Sequence, residues 1–126
     1  MKKLVVLIVD DSLVMRMIVE RSLRQTGIEV EKVIEAGNGM DALNIMQRNA
    51  VDLVFSDINM PKMDGIEFLR QLHAADPARQ VPILMVTTEG SEAKVLEALS
   101  LGAKGYIRKP FTPDQVREQV ALALQS

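Results

Sequence analysis

Five short apolar runs alternate with amphipathic stretches along the 126-residue chain, and this alternation restricts the possible folds more than any other feature. Leu4 to Val9 is rich in β-branched residues and nearly continuous, as a strand covered on both faces requires; Asp52 to Ser56 and Val81 to Val86 read the same way. Val30 to Ala36 is more polar and reads as an edge strand, and Ala103 to Arg108 is a weaker fifth. Between the runs, helical spacing puts Met15, Ile18 and Val19 on one face, then Ala42, Leu43 and Met46, then Phe68, Leu69 and Leu72, then Val95, Ala98 and Leu99, then Val116, Val120 and Ala123. Gly27 and Gly102 stand where helix C-caps belong, and Asn38, Asp64 and Thr112 where N-caps belong. The pattern predicts a (βα)5 domain of the α/β class, with a parallel sheet, right-handed crossovers and helices on both faces.

Composition narrows the function classes. A formal net charge of −2, from 15 basic and 17 acidic residues, argues against a dedicated nucleic-acid binder. The chain has no cysteine, which removes disulfides and thiolate chemistry. The apolar run after Lys2 and Lys3 ends after six residues at Asp10 and Asp11, too soon for a signal peptide, and nothing approaches the ~20 apolar residues of a membrane span. The expected location is the cytoplasm, and no linker or internal repeat divides the chain.

A (βα)5 architecture has a chemical consequence, because ligands of open α/β sheets bind beyond the carboxyl ends of the strands. The residues at those ends are Asp10 and Asp11 after the first strand, Asp57 after the third, Thr87 and Thr88 after the fourth, and Lys109 after the fifth. Carboxylates gathered in one crevice repel one another by about 1 to 4 kcal/mol per pair at ~4 Å, so such a cluster calls for a cation. An all-oxygen ligand set with open positions suits Mg2+, and Mg2+ beside a lysine suits a phosphoryl group. Asp57, ending the central apolar strand, is the best-placed nucleophile of an acyl-phosphate reaction. Read singly, Asp10, Asp57 and Asp64 are also ordinary turn and cap residues, Asp64 above all.

Asp10-Asp11, Asp57-Ile58-Asn59-Met60-Pro61, Met63-Asp64-Gly65, Met85-Val86-Thr87, Gly102-Ala103-Lys104-Gly105-Tyr106 and Lys109-Pro110-Phe111 occur together at their full spacing. In these motifs the chain resembles bacterial response-regulator receiver domains of two-component systems over essentially its whole length. Asn59, Glu89, Tyr106 and Lys109-Pro110-Phe111-Thr112 bring it nearest to the single-domain chemotaxis regulators within that family. The resemblance implies a flavodoxin-like three-layer sandwich with strand order 2-1-3-4-5, and one receiver domain over 1–126 with no output domain. It implies that Asp57 accepts a phosphoryl group from a phosphohistidine of a histidine kinase, and that Asp11, Asp57 and the Asn59 carbonyl bind Mg2+, with Asp10 acting through water. Thr87 and Lys109 would contact phosphoryl oxygens, and Tyr106 would change rotamer as Thr87 shifts. Asn59 and Glu89 would tune dephosphorylation, and the Lys109–Pro110 peptide would be cis. The face of the fourth helix, fifth strand and fifth helix would then control a protein target such as a flagellar motor switch component. The protein would be a signalling phosphoacceptor rather than an enzyme, and a monomer.

Departures and alternatives remain. Ile58 stands where enteric chemotaxis regulators have a tryptophan, and the segment from Glu89 to Glu92 differs from theirs on the partner-binding face. The chain could instead be a phosphorelay intermediate or the receiver of a larger regulator. An aspartate-nucleophile phosphatase would want an acid where Asn59 stands, and a dinucleotide-binding domain a glycine-rich turn where Asp10-Asp11-Ser12 stands. The one histidine, His73, reads as a solvated helix residue rather than a relay site. Met15, Met46 and Met85 read as core, and Met60 and Met63 as a pair presented to a partner. Arg16, Arg21 and Arg24 read as a solvated face of the first helix.

Overall fold

The structure is a computed structural model that describes residues 3–77, 79–88 and 92–125. Its elements are β1 (Leu4–Val9), α1 (Leu13–Arg24), β2 (Val30–Ala36), α2 (Gly39–Arg48), β3 (Leu53–Asp57), α3 (Gly65–Ala75), β4 (Ile83–Thr87), α4 (Glu92–Ser100), β5 (Gly105–Arg108) and α5 (Pro113–Gln125). The five strands form one parallel sheet in the order β2-β1-β3-β4-β5, a doubly wound flavodoxin-like arrangement.

The pleat sorts the apolar runs into two cores. Leu7, Val9, Val54, Ile83 and Met85 point into a layer completed by Met46, Phe68, Val95 and Ala98 from α2, α3 and α4. Val6, Ile8, Leu53, Phe55, Leu84, Val86 and Ile107 point the other way, against Val19, Leu23, Val116, Val120 and Ala123 from α1 and α5. Strands buried on both sides explain why these runs are nearly continuous rather than alternating.

Element ends differ from the sequence reading by a residue or two, each for a local reason. Asp52 precedes β3 instead of opening it, because its carboxylate accepts from the Val5 amide at 2.8 Å. Val81 and Pro82 precede β4, where the Pro82 carbonyl accepts from Val54. Ala103 belongs to the end of α4: its amide donates to the Ala98 carbonyl and that of Gly102 to Leu99, a Schellman closure that needs the positive φ of 107° at Gly102. Asn38 and Asp64 cap α2 and α3 as expected. Thr112 and Gln115 exchange side-chain and backbone bonds in a reciprocal capping box that opens α5.

Two helix faces differ from those that periodicity suggests. In α1 the buried residues are Val19, Ser22 and Leu23, while Ile18 joins Leu13, Val14 and Met17 on an exposed apolar stripe. In α4, Leu99 is exposed and only Val95 and Ala98 are buried. Both helices carry two apolar stripes, and spacing alone does not say which one meets the sheet.

One close approach fixes the start of α3 against the end of β3. The Gly65 amide donates to the Ile58 carbonyl at 2.8 Å, and a Cβ on Gly65 would stand 2.2 Å from the Asp57 carbonyl oxygen. Backbone cannot yield as a flexible side chain can, so Gly65→Ala must push the helix off the strand. The expected loss is ~1–3 kcal/mol of unfolding free energy, as for overpacking elsewhere, read from urea denaturation. A variant as stable as wild type would show that this loop relaxes freely.

Candidate functional site

The strand ends converge as the topology requires. Asp10 continues the β1 ladder, its amide donating to the Ala36 carbonyl, and Lys109 continues β5, its amide donating to the Thr87 carbonyl at 2.6 Å. Continued two residues, the pleat that sends Ile8, Phe55 and Ile107 toward α1 and α5 puts Asp10, Asp57 and Lys109 on that same side. Thr87, two residues after Met85, belongs to the other side and is buried.

One carboxylate oxygen each from Asp10, Asp11 and Asp57 lies within 4.8 Å of the others. Lys109 Nζ is 3.4 Å from Asp10 Oδ2 and 3.6 Å from Asp57 Oδ2, and all three side chains are largely shielded. Asp11 is exposed at the mouth. Local bonds hold the acids in place: Asp10 Oδ1 accepts from the Ser12 amide at 2.9 Å, and Asp57 Oδ1 from the Ile58 amide at 2.8 Å. Ser12 in turn caps α1, so the turn that presents Asp10 also starts the helix.

Burial raises the Asp57 pKa above its ordinary value of 3.8, and the charges of Asp10 and Asp11 push the same way. Lys109 and the Ile58 amide oppose this without overcoming it. Three carboxylates set against one ammonium, with oxygen donors only, form a set that fits a small hard divalent cation.

The remaining expected residues occupy varied positions. Thr87 Oγ1 donates to the Thr88 carbonyl at 3.2 Å. Tyr106 is 40% exposed on the outer face of β5, and the Lys109–Pro110 peptide bond is cis. Asn59 is exposed beyond β3, and its side-chain oxygen accepts from Lys94 Nζ of α4 at 2.8 Å, a contact with no signal in the sequence. Glu89 lies outside the described residues. His73 is exposed in the last turn of α3, at the end of that helix away from the acids.

Two expectations need correction. Arg16 is not a solvated residue: its guanidinium donates to the Asp10 carbonyl at 2.7 Å and pairs with Glu35 at 2.8 Å, bracing the first acid from behind. Arg21 and Arg24 do remain exposed. Met60 and Met63 are not a presented pair, since both pack against the α2–α3 core layer and the Met63 carbonyl accepts from the Gly39 amide.

Residues 6–121 match the family described as the response regulator receiver domain. The chain belongs to that family. It is 39% identical over 119 residues to the chemotaxis protein CheY1 of Helicobacter pylori strain J99, covering 94% of each, and 40% identical over 115 residues to a CheY homologue of Campylobacter jejuni, covering 90% of this chain and 87% of that one. Among solved structures, the chemotaxis response regulator CheY4 of Vibrio cholerae superposes with a TM-score of 0.81 at 37% identity, covering 95% of this chain and 98% of that one. A response regulator of Chloroflexus aurantiacus superposes with a TM-score of 0.87 at 30% identity, covering 99% and 100%. The protein is therefore a CheY-like receiver of two-component signalling. Among the described residues, no helix of this receiver is long and apolar enough to cross a membrane.

The raised pKa of Asp57 has a definite sign in stability. Its ionised form is disfavoured in the fold, so this group's stabilising contribution is complete below pH 3.8 and is lost as pH rises through the folded-state value. Without divalent cations, Asp57→Asn should therefore unfold at a higher temperature than wild type at pH 7.5, with the gap narrowing as pH falls toward 3.8. A variant less stable than wild type at pH 7.5 would mean that Lys109 outweighs burial.

Proposed function

We propose that this receiver is a single-domain response regulator in which Asp57 takes a phosphoryl group from a phosphohistidine of a histidine kinase, with Mg2+ held by Asp11, Asp57 and the Asn59 main-chain carbonyl and, through water, by Asp10. The observation that carries the reading is the meeting of three carboxylates within 4.8 Å with Lys109 Nζ 3.6 Å from Asp57. In the transfer, an oxygen of ionised Asp57 attacks phosphorus, the P–N bond to the imidazole breaks, and the nitrogen leaves with the electron pair. Lys109 favours the ionised nucleophile beforehand and pairs with a phosphoryl oxygen afterwards. When bound, Mg2+ supplies charge neutralisation for the acids and the phosphoryl oxygens.

The output arises from the same contacts. A phosphoryl group on Asp57 offers new acceptors to Lys109 and to the Thr87 hydroxyl, which otherwise bonds its neighbour's carbonyl. Drawing Thr87 inward changes the end of β4 next to β5, where half-exposed Tyr106 has room to follow. Moving such a switch from mostly off to mostly on takes ~5.5 kcal/mol, which a few charge-assisted bonds at ~1.5–3 kcal/mol each supply. The α4–β5–α5 face then reports the state to a protein partner. The chemotaxis relatives favour a chemotaxis output, such as a flagellar motor switch component, in the cytoplasm.

Intact-mass spectrometry after incubation with acetyl phosphate tests the acceptor. A single phosphoryl adduct is expected with Mg2+, none with excess chelator, and none on Asp57→Asn. No adduct on wild type even with sub-minute quenching would sink the reading and leave a binding-only receiver. Sustained turnover of varied phosphate esters would point to a phosphatase instead.

A further inference from the structure

Helix α4 buries few apolar residues and carries several solvent-facing polar contacts to the rest of the domain. Leu96 and Leu99 of this helix are exposed, and only Val95 and Ala98 are buried. Side-chain bonds reach from it to three other elements: Lys94 Nζ donates to Asn59 Oδ1 at 2.8 Å, Glu97 accepts from Arg70 of α3, and Glu92 accepts from Arg108 of β5 at 3.5 Å. Each such solvent-facing pair contributes little alone. The first differs from the others in where it ends.

Asn59 lies two residues beyond Asp57, and β3 and β4 are adjacent strands. A bond from the first turn of α4, which comes after β4, to the loop beyond β3 therefore spans the rim of the acid crevice. Of the other two, Glu92–Arg108 ties α4 to the end of β5, beside Lys109 and away from the loop that follows Asp57, and Glu97–Arg70 ties α4 to α3. We propose that Lys94 is a positioning residue for the acyl-phosphate chemistry: it holds the Asn59 side chain across the rim, slows attack of water on the phosphoryl group, and so ties the lifetime of the phosphorylated state to what occupies α4. The inference rests on Asp57 being the phosphoacceptor.

Hydrolysis gives the reason. A water oxygen attacks phosphorus, the P–O bond to Asp57 breaks, the carboxylate leaves with the electron pair, and inorganic phosphate and a proton are released. In-line attack brings that water from the solvent side, and Asn59 is the exposed side chain two residues beyond Asp57 at that open edge. While Lys94 occupies Asn59 Oδ1, that oxygen is drawn away from the attacking water; once released, it can accept a proton-bearing water and align it. A partner that offers a carboxylate to Lys94 competes with Asn59 and shortens the lifetime.

The test uses the full chain loaded with acetyl phosphate and Mg2+ and then freed of donor, with adduct decay followed by quenched intact mass. Lys94→Met should shorten the lifetime about two- to five-fold, the range open to one solvent-facing charged bond. Lys94→Arg should restore most of it. Lys94→Met should change nothing in an Asn59→Ala background, and Arg70→Ala, which loosens α4 without touching Asn59, should keep the wild-type lifetime. In the unphosphorylated protein, the Asn59 side-chain amide resonances should shift in Lys94→Met and return in Lys94→Arg. Equal lifetimes for wild type and Lys94→Met, an effect that persists without Asn59, or the same effect from Arg70→Ala would each overturn the proposal while leaving Asp57 as acceptor. A wild type that takes no adduct at all would overturn the acceptor reading, and this inference with it.

Discussion

Three carboxylates gathered within 4.8 Å of one another, two of them beside the Lys109 ammonium, make up the constraint on which the rest of this receiver depends. Left to themselves they would spread apart, and hydrogen bonds together with Lys109 hold two of them, Asp10 and Asp57, in place. The Ser12 amide holds Asp10, the Ile58 amide holds Asp57, and Arg16 braces the Asp10 carbonyl from α1. Donors that come with the backbone turns cost no rearrangement when a ligand arrives, which is the condition for electrostatic preorganisation. The price is a folded state that carries an unfavourable ionised Asp57. A cation among the acids would relieve that strain, so cation binding and the stability of the crevice are coupled from the start.

Such a crevice needs a base that does not move. The sheet supplies it, because β1, β3 and β4 are buried on both faces and their ends cannot shift without disturbing two cores at once. Gly65 adds a second fixed point by letting α3 begin in contact with the Asp57 carbonyl. The loose side lies next door. With two buried residues and a set of exposed ionic contacts, α4 belongs to the part of the fold that opens at low free energy. A signal generated on the rigid side can thus be read on the loose one.

Most of this was legible in the sequence, for a physical reason. Doubly buried strands leave long apolar runs, and the residues that end the strands must meet at one edge of a parallel sheet, so the sequence alone places Asp10, Asp57 and Lys109 together. What stayed illegible has a common cause in tertiary contact. The two apolar stripes of α1 are equally good by spacing, and only packing against β1 and α5 selects Val19 and Leu23 over Val14 and Ile18. Gly65 follows the Asp64 cap with no signal of its own in the sequence, yet its need is a neighbouring carbonyl. Arg16 and Lys94 read like any helix-surface cations, since a long flexible side chain has no pattern that reveals its partner.

Those two cations nevertheless play contrasting parts at the same crevice. Arg16 is only 17% exposed, bonds a main-chain carbonyl and is backed by Glu35, so nothing in solution replaces its partner easily. Lys94 faces solvent and bonds a side-chain amide that has its own rotamers, so both ends can exchange. One wall is fixed through the backbone while the other is tied by a bond that an acidic partner can outcompete. The fold therefore needs no separate regulatory element: a difference in exposure between two basic residues is enough to make one side of the acid cluster a support and the other a point of control.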